Sequence, residues 1–563
     1  MCKYDIEEIR KQIIGNDILI NTPFGKRHML YLDYTASGRG VRIIEDKIQD
    51  ILMSYANTHT GDDYSGKFLT TLLNDAEKKI KKYVKASKNG KIILTGSGAT
   101  GALKKLQEII GVYIPPSTRD RINNSMLRVD KDGENFDYNV GKKTPVVFIG
   151  PYEHHTNELM WREAFVEVIV IKLNEKGIID LDDLEEKISN PIYKNRKKFA
   201  SFSAGSNVTG LITDVYRIAE ICHKYDTLIF FDFAAIAPYT NINMNKDDKS
   251  YFDAIFFSPH KFLGGPGTCG VLVFNEKIYR RDLPPTTAGG GTVVFVGLEE
   301  HDYLDDIENR EKAGTPPILQ GIKAALVLEL KDKIGIENIR KVEQYYAKYF
   351  ITKINKIKNV EFVDNISIIN RLPIVPFNIK FKDKILHPKF VARLLNDLFG
   401  IQCRAGCNCA GPYGHILLDI DKIKSQKIRN LILKGCSGIR PGWVRINIHY
   451  TLNIEDIDYI IQTIKFISEY GYLFLQKYEF NIKTAEWKHR EFRENLPKLS
   501  FDYNYKIEKI DISTLSNQRE KYLNQANKIA EGILKVYKES YFKDTDDIEE
   551  LKYFYCIDKV IKN

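Results

Sequence analysis

No uninterrupted apolar run in the 563 residues is long enough to cross a bilayer, so the chain does not read as membrane-spanning. Cysteine is scarce: eight in a chain of this length make no disulfide framework of the kind that staples small secreted domains. A one-sided charge is lacking too. The 83 basic and 74 acidic residues leave a net +9, but the two signs are mixed along the chain, which describes a solvated surface better than a nucleic-acid-binding field. The stretch from Met1 to Arg10 has no apolar signal-peptide core, and its acidic residues are unlike a mitochondrial leader. No internal repeat is visible. The expectation is a soluble, cytoplasmic protein whose partner is neither a membrane nor a nucleic acid.

What is present is a large apolar share, 43%, enough for sizeable cores, in a chain too long for one domain. Short apolar runs recur at Lys91–Leu94, Val146–Ile149, Val166–Ile171, Phe199–Ser203, Thr227–Phe231, Ala254–Phe257 and Val271–Phe274. Helical patterns lie between several of them, at Asp75–Lys85, Ala102–Ile110 and Asp214–Lys224. Alternation of this kind predicts an α/β fold with a mainly parallel sheet, whose ligands sit at the carboxyl ends of the strands. Four regions are expected. Residues 1–30 form an amphipathic lead-in helix, 31–316 a large α/β domain, 317–475 a smaller α/β domain opened by a helix from Pro317 to Ile334, and 476–563 a helical extension. Residues 115–144 are polar and aperiodic, and predict a surface loop or insertion.

The chemistry gathers at the turns that follow the strands. Ser258, Pro259, His260 and Lys261 open a glycine-rich elbow that runs to Gly270 between two apolar strands. A lysine there reads as a surface residue in a turn or as an amine made nucleophilic by partial burial. Asp232 closes its strand, where a carboxylate meets a ligand or caps the next helix. Glu153, His154 and His155 follow the strand at 146–149, where an imidazole serves as ligand, base or stacking partner, or bonds within its loop. Asn207 follows the strand at 199–203. Thr100 lies in a Thr95–Gly101 turn that leads from a strand into a helix start, a natural anion site. Together these residues are the parts a pyridoxal phosphate site needs: an amine, a carboxylate for the ring nitrogen, and hydroxyls with helix-start amides for the phosphate.

From about Tyr31 to about Asp458 the chain resembles the class V aminotransferase family of fold-type I pyridoxal phosphate enzymes, in its cysteine desulfurase and selenocysteine lyase branch. The most specific element is Ser258-Pro-His-Lys261 with the glycines after it. The resemblance implies a seven-stranded, mainly parallel sheet in a large domain and a smaller carboxyl-terminal α/β domain. It implies that Lys261 is the Schiff-base lysine, Asp232 the partner of the pyridinium nitrogen, His154 the imidazole stacked on the ring, and Asn207 the amide near the phenolic oxygen. Thr100, Ser258 and His260 match the phosphate ligands, and Arg445 the arginine that grips the substrate carboxylate. Gly289–Thr292 and Gly314-Thr315-Pro316 resemble segments that reach a partner subunit's site, which makes Thr315 a cofactor contact and implies a homodimer. Cys409 falls on the desulfurase nucleophile, with an amino acid as substrate and a sulfur-acceptor protein as a further partner.

Two features depart from the family. Ala235 stands where a glutamine is usual, and the stretch between Cys409 and Arg445 is longer, with a helix expected from Asp421 to Lys434. Cys403, Cys407 and Cys409, with His415 and Cys436, also read as a metal or iron–sulfur set, although the spacing matches no common pattern, or as structural cysteines with Cys403 facing the core. The leading expectation is conversion of L-cysteine to L-alanine with a persulfide on Cys409. The alternatives are another class V activity without the thiol (transaminase, racemase or epimerase, selenocysteine lyase) and a non-catalytic protein that kept the fold.

Overall fold

The strand segments between residues 90 and 275 pair into one seven-stranded sheet in the computed structural model, which describes residues 5–58, 60–124, 144–364, 371–406, 409–495, 497–503, 507–538 and 540–557. Its strands are β1 (Gly90–Thr95), β2 (Val146–Ile149), β3 (Glu167–Val170), β4 (Lys198–Ser203), β5 (Leu228–Asp232), β6 (Ala254–Phe257) and β7 (Gly270–Asn275), in the spatial order β1-β7-β6-β5-β4-β2-β3. β6, β5, β4, β2 and β3 run parallel, while β7 is antiparallel to both β1 and β6. β1 therefore points the same way as the parallel set, and the carboxyl ends of six strands share one edge. Val146–Ile149 and Ala254–Phe257 are buried at every position, which is what a parallel sheet covered on both faces demands of its central strands. Helix α1 (Gly98–Ile109) covers part of one face. Its Ala99, Ala102, Leu103, Leu106 and Ile109 recur at helical spacing and join a core with Ile93, Val147, Phe230 and Leu272. Truncating Leu106 to alanine in such a core costs about 2–5 kcal/mol.

The chain divides into two compact units. One holds Ser37–Ser206 and Leu211–Ile336, and includes this sheet; the other holds Tyr4–Ala36, Asn207–Gly210 and Glu337–Asn563. The first ends after the expected long helix, which spans Ile318–Ile334. In the second, a five-stranded antiparallel sheet is ordered Val360–Phe362, Ile374–Phe381, Trp443–Asn447, Arg404–Gly406, with the short strand Lys384–Ile385 also paired to Ile374–Phe381. Helices Pro388–Phe399 and Ile454–Tyr470 contribute Phe390, Leu394, Ile457 and Ile464 to its core.

Three expectations need correction. The lead-in helix is only Ile6–Lys11, capped by the Asp5 side chain. Ile18–Thr22 and Gly25–His28 then form a hairpin, because the β-branched Ile18, Ile20 and Thr22 suit an extended strand and Gly25 adopts a φ of +101° at the turn. Within 115–144, Pro116–Asn124 is a helix started by proline, and 125–143 lie outside the described residues. The 476–563 stretch is not simply a helical extension. A hairpin, Tyr478–Asn481 with Glu486–His489, precedes the helix Leu515–Val536. Phe480 and Trp487, directly paired across that hairpin, stack with ring centroids 4.6 Å apart and are buried in the same core as Phe390. Tyr522, Ala526 and Ile533 add the apolar face of the last long helix.

Candidate active site

The shared strand edge of the first unit gathers six of the residues expected at a cofactor site. Asp232 is the last residue of β5 and is buried; its Oδ1 accepts a hydrogen bond of 2.8 Å from the Ala234 amide. Burial raises its pKa above the usual carboxylate value, against the pull of that amide and the positive charge of Lys261. Lysine and aspartate thus face one another electrostatically within this unit. Lys261 ends a single helical turn, Pro259–Lys261, directly after β6.

The elbow around Lys261 is clamped by its backbone. The Gly38 amide donates to the His260 carbonyl at 2.8 Å, and the Gly264 amide to the Arg39 carbonyl at 2.7 Å. A Cβ on Gly38 would lie 1.9 Å from the Phe262 carbonyl oxygen, so no other residue fits at that crossing. His260 Nδ1 lies 3.3 Å from Ser37 Oγ; burial first, and then the charge of Lys261, push the imidazole down to about 4, which keeps it neutral at physiological pH. Ser258 Oγ accepts from the Ala99 amide at 2.8 Å, tying the elbow to the first turn of α1. Because that oxygen accepts, its own hydrogen is left to donate to an anion. Gly98, at φ +58°, makes the approach possible: a Cβ there would sit 2.8 Å from Ser258 Oγ. Thr100, in the same turn of helix, is exposed and its hydroxyl pairs with Thr156 Oγ1 at 2.8 Å.

His154 caps helix α2 (His155–Arg162), its Nδ1 accepting from the Thr156 amide at 3.1 Å. A neutral ring held this way carries its proton on Nε2. Its neighbour Glu153, which lies in the motif but drew no role from the sequence, is the second buried carboxyl of this edge. Thr315 stands in the loop before the helix Ile318–Ile334; it is exposed, and its hydroxyl accepts from Asn57 Nδ2 at 3.2 Å.

The second unit holds the other three expected residues. Arg445 is buried in the strand Trp443–Asn447. Its Nη2 donates to Asp33 Oδ1 at 2.8 Å and its Nη1 to the Asn207 carbonyl at 2.8 Å. Arg404, directly opposite Arg445 on the neighbouring strand, donates through Nε to Asp33 Oδ2 at 3.0 Å. Asn207 is buried. Cys409 is half-buried with a left-handed φ of +60°, and its sulfur acts electrostatically on Arg445. Cys403 packs against the core, as one structural alternative expected, and burial pushes its thiol up. Cys407 and Asn408 lie outside the described residues. The longer stretch after Cys409 forms helices Gly411–Leu417 and Lys422–Leu433, the second close to the expected Asp421–Lys434. They fasten the residues after the cysteine. Tyr413 OH lies 3.2 Å from Thr209 Oγ1, and His415 reaches the Gly411 carbonyl through Nδ1 and Ser425 Oγ through Nε2. Both imidazole nitrogens of His415 are thereby engaged within the protein. Asp33 and Arg404 were not recognised in the sequence; the Tyr31–Gly38 turn and the cysteine cluster hold them, but only the strand register shows that both arginines meet one carboxylate.

The donor set of the first unit fits pyridoxal 5′-phosphate. It offers an amine beside a buried acid, a neutral imidazole, and a glycine cradle at a helix start whose serine has a proton to give. The seven-stranded, mainly parallel sheet is the one that the family resemblance implies. The sequence profile for "Aminotransferase class-V" matches residues 134–460, more than half of the chain, and the chain belongs to that family. It is 27% identical over 389 residues to a probable cysteine desulfurase of Halalkalibacterium halodurans, covering 68% of this chain and 84% of that protein. It is 28% identical over 416 residues to a cysteine desulfurase of Wigglesworthia glossinidia brevipalpis, covering 73% and 89%. The fold matches an apo cysteine desulfurase from Thermococcus onnurineus NA1 with a TM-score of 0.64 at 22% identity, over 83% of this chain and all of that one. It matches the Escherichia coli cysteine desulfurase CsdA with a TM-score of 0.59 at 18% identity, over 82% and 98%. No described helix is long and apolar enough to cross a membrane.

Proposed function

We propose that the chain is a pyridoxal-phosphate-dependent cysteine desulfurase that converts L-cysteine to L-alanine and leaves the sulfur as a persulfide on Cys409. The observation that carries this is the buried Asp232 at the strand edge, within the electrostatic reach of Lys261, in a chain whose curated relatives are named for that activity. Bound pyridoxal phosphate supplies an electron sink beside the substrate's Cα. Asp232 would hold a proton at the ring nitrogen, while Ser258, His260, Thr100 and the first amides of α1 would hold the phosphate. His154 would stack on the ring, Asn207 would serve the phenolic oxygen and Thr315 would contact the cofactor, the roles the family resemblance implies. Lys261 Nζ takes the Cα proton and returns it. Arg445 grips the substrate carboxylate with its planar fork. The Cys409 thiolate attacks the substrate sulfur; the S–S bond forms as the C–S bond breaks, and the electron pair of that bond stays with the carbon skeleton that becomes alanine.

The enzyme works as a homodimer in the cytoplasm, where thiols stay reduced and a sulfur-acceptor protein takes the persulfide. Support for the dimer comes from the hairpin Val293–Val296 with His301–Tyr303, which follows Gly289–Thr292 and exposes Val294, Phe295, Val296 and Leu298. An apolar group of this size on the surface marks an interaction face.

The test is Cys409→Ser. Sulfide release from L-cysteine in the presence of a reductant falls to background while the visible spectrum of the bound cofactor is unchanged. Undiminished sulfide release in that variant removes Cys409 from the mechanism. Conversion of the cofactor to its amine form by an amino acid marks a transaminase instead, and a protein that stays colourless after cofactor is added is a binding protein.

A further inference from the structure

Glu153 follows β2 at the strand edge and is buried. Three donors converge on its carboxyl. Ser203 contributes two, its amide at 2.9 Å to Oε1 and its hydroxyl at 2.6 Å to Oε2, and Asn157 Nδ2 adds a third at 2.6 Å to Oε2. Asn157 is fixed in turn, its Oδ1 accepting from Trp161 Nε1 at 3.0 Å and from Ser201 Oγ at 2.6 Å. Gly150 leaves the room, since a Cβ there would lie 2.3 Å from Glu153 Oε1. This network is attached to the acid of the cofactor site by strand pairing. Ser203 stands directly opposite Asp232 in the β4–β5 register, and the Ala204 amide donates to the Asp232 carbonyl at 2.8 Å. A packing residue needs none of this, because an alanine or leucine would fill the space without burying an acid.

We propose that Glu153 is a positioning residue that shares a titration with Asp232: it keeps its proton while Asp232 is charged, and its ionisation adds a second negative charge to the buried layer that holds Asp232. This rests on the pyridoxal phosphate assignment above. Asp232 and Glu153 lie in one buried layer, and the charge of Asp232 opposes ionisation of Glu153. Burial is the largest influence and raises Glu153, its three donors pull it down and the charge of Asp232 raises it, which together leave it at about 7. The charged and titratable groups that bear on the pair are Lys261 after β6, which favours ionised Asp232, and His154, the neighbour of Glu153 on the same turn; Glu158 on α2 is occupied with Arg162. Of the two acids Glu153 has the three hydrogen-bond donors, so it is the one able to change charge near neutrality without losing its place.

The experiment is a pH titration of the purified full-length chain by two readouts. Infrared difference spectra between about pH 6 and about pH 8, bracketing the carboxyl of Glu153, are taken with and without cofactor. The protonated-carboxyl band lost on raising the pH is present in the wild type and absent in Glu153→Gln. In the holoenzyme the visible band of the cofactor titrates in two steps, and Glu153→Gln removes the one near 7. Ser203→Ala, which keeps the acid and removes one donor to its ionised form, moves that step to higher pH. An infrared band that survives in Glu153→Gln, or a cofactor titration the same in all three proteins, overturns the proposal. A colourless protein whose infrared band behaves as expected refutes the cofactor assignment and leaves Glu153 as the acid that titrates.

Discussion

Two aspartates divide the molecule's chemistry between them. Asp232, at the strand edge of the first unit, is buried, takes a hydrogen bond from a neighbouring amide and faces the charge of Lys261. Asp33, in the second unit, is gripped by two arginines, with Arg445 Nη2 at 2.8 Å and Arg404 Nε at 3.0 Å. Asp33 is saturated by the protein and fixes a cation in place. Burial penalises a charge on Asp232, and a perturbed carboxyl of this kind at a strand edge is what the proposed cofactor site would use. The same residue type is scaffold in one unit and chemistry in the other, and what separates them is the partners supplied by neighbouring strands.

Replacing each acid by its amide tests that contrast. Asp232→Asn keeps the shape and the Ala234 contact but, on the proposed function, removes the charge that would hold a proton on the cofactor ring. Activity falls by about 100- to 10,000-fold, the range for loss of a positioned proton-transfer partner, while the melting temperature rises or holds, because a buried charge is gone. Asp33→Asn does the opposite. It leaves Arg445 buried without its counter-ion, and stability falls by about 3–5 kcal/mol in chemical denaturation. Were the two variants to fail in the same way, by unfolding or by losing activity alone, the distinction between them would not hold.

The first unit was far more legible in the sequence than the second. Each of its strands is a short apolar run closed by glycine or a polar turn, and parallel strands place their ends at one edge, so the sequence alone assigns Asp232, His154 and Lys261 to that edge. Glu153 was visible but mute, because only the β4–β5 register reveals that Ser203 joins it to Asp232. The second unit hid its logic in long-range pairing. Asp33 and Arg445 are over four hundred residues apart. The terminal hairpin hid as well: Phe480 and Trp487 pack under Phe390, a contact that no local pattern encodes, so the stretch read as a helical appendage. At the amino end, turn chemistry at Gly25 overruled a helical pattern that continues only to Lys11.

Glu153 sharpens the comparison through pH. Below its ordinary value of 4.5 the proton is held in both folded and unfolded chains; between 4.5 and about 7 only the folded chain keeps it. Stability therefore falls as the pH rises through that window, by at most about 1.4 kcal/mol for each unit, and levels off above it. Glu153→Gln flattens that slope in denaturant titrations of the cofactor-free chain at a series of pH values. A slope identical in the two proteins would show that the folded and unfolded chains bind the same protons there.

The smallest effect comes from the second arginine on Asp33. Arg404 and Arg445 are cross-strand neighbours with the same partner, yet Arg445 is 3% exposed and Arg404 is 44%. Water screens the outer pair and pays back most of what its loss would cost, so Arg404→Ala changes stability by about 0.2–1 kcal/mol, less at high salt. Its effect on catalysis separates binding from chemistry. With Arg404 gone, Asp33 keeps Arg445 to itself, and on the proposed function a substrate carboxylate that must compete with Asp33 for that guanidinium would bind less well; KM for L-cysteine rises several-fold while kcat stays within about twofold, the pattern of lost uniform binding. A fall in kcat with KM unchanged would place Arg404 among the groups that act only in the transition state, and Asp33 would then be more than the scaffold its two salt bridges describe.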